Sequence, residues 1–225
     1  MIHAIVKLLE ALGLPVWVVW AVFGPLALLG YLLFVLEWFR FLRDLRKTTA
    51  AFGGRGLPGV LALMPGVRFR VHDSEARFGY SAWSGTTTME FRVPAAGRIR
   101  VLSRAFSDGE RRRFRGETVI TGDPQFDASF TVLSAPARFG SELLDTDARH
   151  HLSTLQSAAL AALERRREGQ FTSGKLPNPT VELTTDARGL RIRFHGRPAG
   201  PEIERALRAG SELARRTLEV SRPRA

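Results

Sequence analysis

Cysteine is absent from the 225 residues, so the chain forms no disulfide, offers no thiolate to a metal and has no cysteine nucleophile. Lysine is nearly absent too: Lys7, Lys47 and Lys175 are the three among 33 basic residues, which leaves thirty arginines. So lopsided a ratio points to a GC-rich coding background more than to a phosphate-binding surface. It weakens the inference to nucleic acid that a net charge of +11 would invite. Histidines four residues apart, a serine in a GxSxG setting and a matched nucleophile and base are also missing. Catalysis has no positive support, and no cofactor or metal is assigned.

Formal charge is missing altogether from Leu12 to Leu36, twenty-five consecutive residues. A helix needs about 20 apolar residues to cross about 30 Å of hydrocarbon, so this run is expected to be a transmembrane helix. Trp17 and Trp20 stand near its start and Trp38 just past its end. At about 1.5 Å per residue, Trp17 and Trp38 are about 31 Å apart, the separation of two interfacial aromatic belts. Pro25 removes one backbone donor and predicts a kink near Gly24. No Asp, Glu, Lys, Arg or His lies inside the run, so it reads as an anchor and not as an ion path. A cleaved signal peptide competes with this reading, but its apolar region would be about 7–15 residues and its positive charge would come first.

The charges after the span are Arg40, Arg43, Arg46 and Lys47 against Glu37 and Asp44, whereas Lys7 and His3 precede it. The positive-inside rule places the C-terminal portion in the cytoplasm. The expected organisation is a short amphipathic segment at 1–11, the transmembrane helix with its basic extension at 12–48, a glycine-rich linker at 49–66 and a soluble domain at 67–225. With 44% apolar residues, the chain has room for one membrane segment and one domain of ordinary size.

From Val67 the apolar period changes to two. Val67, Phe69 and Val71 alternate with Arg68, Arg70 and His72, and the rhythm returns at Phe78 and Tyr80, then over 86–93, 98–104, 118–121 and 130–133. About six short strands with short connections predict an antiparallel sheet or small barrel. Asp147 is the expected cap of a long helix with Ala148, Leu152, Leu155, Ala159 and Leu163 inward. A hairpin over 181–195 and a last helix opened by Pro201 complete an α+β domain with about three helices.

Three short motifs carry whatever chemistry there is. GQFTSGK at 169–175 has phosphate-loop spacing, yet it follows a helix, has Leu176 in place of Ser or Thr, and runs into Pro177, so coincidence is the reading adopted. Asp147 and His151 lie four apart, but a pair of ligands is too few for a metal site. GERRRFRG holds Arg111, Arg112, Arg113 and Arg115 around Phe114, and could meet anionic lipid or another anion; a solvated loop between strands is the plainer reading.

The stretch TGDPQFDASF sets Asp123 and Asp127 between Phe126 and Phe130. Asp123 followed by Pro124 is an N-cap and first-turn pair, which predicts a short helical turn pinned to the sheet by Phe126 and Phe130. Asp127 is left to meet an arginine or water. The segment GDPQFDASFTV resembles one found in a group of bacterial membrane-anchored proteins in which D-P-x-F-[DE] precedes a strand and a helix. That resemblance implies a domain tethered to the inner membrane by a single pass and facing the cytoplasm, with no assigned activity. The expected role is a non-enzymatic interaction or accessory protein with the membrane and another protein as partners. An enzyme acting near the membrane, or an electrostatic binder of anionic lipid or nucleic acid, are the alternatives, nucleic acid being the least favoured.

Overall fold

A computed structural model describes residues 16–50, 55–57, 66–71, 74–81, 84–168 and 180–222, with backbone alone at 16–23, 26–27, 33–34, 37–38, 48–49, 55–57 and 165–168. The expected segment 1–11, most of the linker 49–66 and the GQFTSGK stretch lie outside the described residues. The chain divides into two compact units, Met1–Arg43 and Asp44–Ala225.

Helix α1 (Val16–Ala50) occupies the first unit and enters the second, with Pro25 inside it. Leu28, Leu29, Tyr31, Leu32, Leu36 and Phe39 are all exposed on it. Among the described residues no helix is long and apolar enough to cross a membrane. The membrane span read from the sequence falls partly on residues 12–15 and on the side chains of 16–23, which are not described.

The second unit is built on one sheet. Its strands are β1 (Arg55–Leu57), β2 (Gly66–Val71), β3 (Ser74–Ser81), β4 (Thr86–Phe91), β5 (Arg98–Leu102), β6 (Glu117–Val119), β7 (Thr131–Ala135), β8 (Val181–Asp186) and β9 (Gly189–His195). They lie in the order β1-β2-β3-β4-β9-β8-β5-β7-β6, and every neighbouring pair is antiparallel. The period-two pattern read along single strands becomes rows across the sheet. Val67, Phe78, Met89, Ile192, Leu183, Val101, Val132 and Val119 form one row over eight strands, and all are buried. The next row on the opposite face is Arg68, Arg77, Glu90, Arg191, Thr184 and Arg100. One face is therefore core and the other is charged.

The helices of this unit are α2 (Asp108–Phe114), α3 (Pro124–Ser129), α4 (Ala137–Leu143), α5 (Thr146–Glu168) and α6 (Gly200–Ser221); α4, α5 and α6 cover the core face, and α2 lies on the other. α5 and α6 pack on each other, α5 against β8 and β9 and α6 against β4 and β9, while α4 lies against β5, β6 and β7. On α5 the residues Ala148, Leu152, Leu155, Ala159 and Leu163 are buried; on α6 Ile203, Leu207, Gly210 and Ala214 are. Gly210 lets α6 approach closely, because a Cβ there would stand 3.0 Å from the Phe91 ring. Gly189, with φ +132°, closes the β8–β9 hairpin where a Cβ would lie 2.0 Å from the Phe91 carbonyl oxygen.

The domain is thus α+β with an antiparallel sheet. Two details differ from the sequence reading. The cap of α5 is Asp145, whose Oδ1 accepts from the Ala148 N–H at 2.9 Å, and Asp147 sits in the first turn. The helices number more than about three, since α2 stands where a loop was expected and α4 precedes α5.

Neighbours on opposite faces give a direct test. Phe78 is fully buried in the core row, and Phe78→Ala is expected to cost about 3–5 kcal/mol in urea unfolding. Arg77→Ala, one residue away on the charged face, is expected to cost less than about 0.5 kcal/mol.

Candidate functional site

The aspartate pair resolves into two structural roles. Asp123 is the N-cap of α3, its Oδ1 accepting from the Gln125 and Phe126 N–H groups at 3.1 Å each. Phe126 and Phe130 stack with centroids 4.8 Å apart, and both are buried. Among the described residues the Asp127 carboxylate pairs with no arginine. It accepts from the Thr121 N–H and hydroxyl at 3.2 and 2.9 Å and from the Gly122 N–H at 3.1 Å. It ties the turn before the helix back onto the helix, as Arg149 does from α5: its guanidinium reaches the Leu144 carbonyl at 3.3 Å and stands 3.5 Å from Asp123.

The arginine cluster lies on a helix. Ser107 caps α2 and shares a capping box with Glu110. The S-x-x-E spacing of Ser107 to Glu110 is the sequence signal that marks such a start. Arg104 grips Glu110 with two hydrogen bonds of 2.7 and 2.8 Å, and Arg100 adds a contact at 3.3 Å. These bonds, with the Ser107 N–H, hold the Glu110 carboxyl down at about 2, and the same contact raises Arg104. Phe114 packs against Leu102, Phe106 and Leu133 on the outer face of the sheet. Arg98 and Arg100 lie over the Phe114 and Phe106 rings. Arg111 donates to the Thr118 hydroxyl, while Arg112, Arg113 and Arg115 are exposed.

Beyond α2 the outer face of the sheet is open. Glu75 pairs with Arg68 and Arg92, Glu90 with Arg191 at 3.0 Å, and Glu182 with Arg100 at 2.8 Å and Arg193 at 4.0 Å. Arg70 and Arg77 make no ion pair among the described residues. Two grooves cross this face. One of 220 Å³ is bounded by Glu75, Arg92 and Arg188, the other of 370 Å³ by Ser81, Thr88 and Arg193, and Arg77, Glu90 and Arg191 border both. Sequence reading passed over this assembly because its members are remote in the chain: Glu90 and Arg191 meet only through the pairing of β4 with β9.

The remaining candidates do not join a site. His150 and His151 have ring centroids 6.1 Å apart on α5, and among the described residues no three of His, Cys, Asp and Glu are grouped to hold a metal. Arg40, Arg43, Arg46 and Lys47 are exposed on α1, and the side chain of Trp38 is not described.

No family model matches the chain, and no curated protein matches it. Among solved structures, the crystal structure of the mycobacterial trehalose monomycolate transport factor A, TtfA, is similar, with a TM-score of 0.53 and 9% identity. The match covers 82% of this chain and 98% of that one. At that identity the likeness is one of fold.

Two measurements follow from the side-chain geometry. Because the folded Glu110 carboxyl lies below its ordinary value of 4.5, its contribution to stability is present above pH 4.5 and is lost as the pH falls toward about 2. Glu110→Gln is expected to be less stable than the parent at pH 6, with the two unfolding curves converging near pH 2. At Asp127, alanine is expected to cost about 1–3 kcal/mol by stranding the Thr121 and Gly122 donors, and asparagine less, since its amide oxygen still accepts from Thr121.

Proposed function

We propose that this chain is a membrane-anchored, non-enzymatic accessory protein whose α+β domain recognises a partner through the open face of its sheet. The observation that carries the reading is that face: a charged surface across β2, β3, β4 and β9, grooved, and carrying Arg70 and Arg77 without an ion pair among the described residues, opposite a buried core face. Water-facing sheets are ordinary, but arginines in excess over their carboxylates leave a field that attracts anions.

The anchor is supported by α1. Its helical backbone continues through residues without formal charge as far as Leu36, and six large apolar side chains between Leu28 and Phe39 stand exposed on it. Such exposure is costly in water and favourable in lipid. The four basic residues that follow support a single pass with the domain in the cytoplasm. TtfA is a mycobacterial trehalose monomycolate transport factor, and the similar fold supports, by analogy, an accessory role in transport.

The anchor is tested by alkaline carbonate extraction of the full chain expressed in bacteria. The parent is expected to stay in the membrane fraction, and a variant with Leu28, Leu29 and Leu32 changed to Arg to be released; release of the parent would refute the anchor. Protease added to intact cells should leave the domain undigested, and digestion would reverse the orientation. For the recognition face, a photocrosslinker at Thr88 is expected to give adducts with a membrane component that the same group at Arg208, exposed on α6, does not. Equal labelling from both positions would remove the sheet face from the function.

A further inference from the structure

We propose that the larger groove on the open sheet face binds the phosphate-bearing headgroup of an anionic lipid, a step that rests on the membrane reading above. The register makes the groove. Gly79, Thr88 and Arg193 form one row across β3, β4 and β9, between the row of Arg77, Glu90 and Arg191 and the row of Ser81, Thr86 and His195. Rows on one face are about 7 Å apart along a strand. Gly79 has no side chain and Thr88 a short one, so the middle row sinks and leaves a trough of 370 Å³.

Charge decides what fits there. Three arginines and one glutamate line the trough, and Glu90 is already held by Arg191 at 3.0 Å. That leaves Arg77 with no ion pair among the described residues and Arg193 with only the Glu182 contact at 4.0 Å. Arg77 on β3 and Arg193 on β9 flank β4 and stand one row apart, so their Cα atoms are about 12 Å apart, and both guanidinium groups can reach one anion placed between them beside Thr88. Two planar forks and a hydroxyl are the donor set that a phosphate accepts. An acidic polypeptide fits less well. Glu90 lines the trough and Glu182 stands beside Arg193, and both would repel a run of carboxylates, whereas a headgroup brings one localised charge on a narrow stem. A tethered domain also meets headgroups at high effective concentration.

The test is isothermal titration of the full chain in uncharged detergent with dihexanoyl phosphatidylglycerol, dihexanoyl phosphatidylcholine and glycerol phosphate. Phosphatidylglycerol is expected to bind, phosphatidylcholine at least tenfold more weakly, and glycerol phosphate more weakly than phosphatidylglycerol. Arg77→Gln with Arg193→Gln should lower the phosphatidylglycerol affinity at least tenfold. Removing more charge elsewhere, as Arg112→Gln, Arg113→Gln and Arg115→Gln together, should change it less than threefold. Circular dichroism should show the same melting temperature for both variants and the parent. Equal losses in the two variants, or no preference over phosphatidylcholine, would overturn the site. Glycerol phosphate binding as tightly as the lipid would overturn the lipid assignment, and an acidic peptide that competed for Arg77 and Arg193 where the lipid did not bind would replace it. Carbonate extraction reads the anchor independently of this titration, so either can fail alone.

Discussion

The insertion of the C-terminal hairpin between β4 and β5 is the constraint on which the rest of the domain depends. These two strands are neighbours in sequence, yet β9 pairs with β4 and β8 with β5, so residues about 80 to 110 positions away complete the sheet. Register is fixed by burial: a one-residue slip of β9 would turn Leu190, Ile192 and Phe194 outward and Arg191 and Arg193 into the core. Hydroxyl groups secure the hairpin where the ladders end. Thr87 donates to the Gly196 carbonyl at 2.8 Å, Thr185 donates to the Gly97 carbonyl and accepts from the Ile99 N–H, and the Ser103 oxygen accepts from the Thr180 and Val181 N–H groups. Each of these bonds joins segments far apart in the chain, so the sheet closes only once both ends of the domain have formed.

The two faces answer to different physics. On the core face, apolar area removed from water supplies the driving force, and the covering helices need only small residues at close approach. On the open face the ion pairs are solvent-exposed, and each contributes about 0–1 kcal/mol. Arg68 with Glu75, or Arg191 with Glu90, therefore does little for stability. Their effect is to organise a pattern of charge on a rigid surface, which is a condition for recognition. Where α2 crosses that face the balance shifts: Phe114 covers Leu102, Phe106 and Leu133, and the Arg104–Glu110 pair is partly buried, so there the charges serve the packing.

Much of the fold was legible because its signals are local. Val67, Phe69 and Val71 announce a strand by period alone, and Asp123 with Pro124 announces a helix start. The α2 helix was not legible as a helix: its seven residues contain a single apolar side chain, Phe114, which gives no periodicity, and only the Ser107–Glu110 spacing marks it. Asp147 was the cap expected from sequence, and Asp145 takes that place because its carboxylate is the one that accepts from the Ala148 N–H. The role of Asp127 was hidden for a similar reason, since two of its three partners are the backbone N–H groups of Thr121 and Gly122, which a sequence does not display. The groove was beyond sequence reading altogether. Gly79, Thr88 and Arg193 belong to three segments, and only the inserted hairpin brings the third beside the first two.

A fold shared with TtfA at 9% identity is what this division of faces allows. The core row needs apolar side chains at alternate positions and tolerates exchange among Val, Ile, Leu, Phe and Met at small cost. Architecture can therefore persist while nearly every residue changes. The outer rows are under no such demand from packing, so their side chains can be rewritten for a new ligand without disturbing the sheet. A likeness of fold says how the domain is built, and the argument for what it recognises has to be made from Arg77, Thr88 and Arg193.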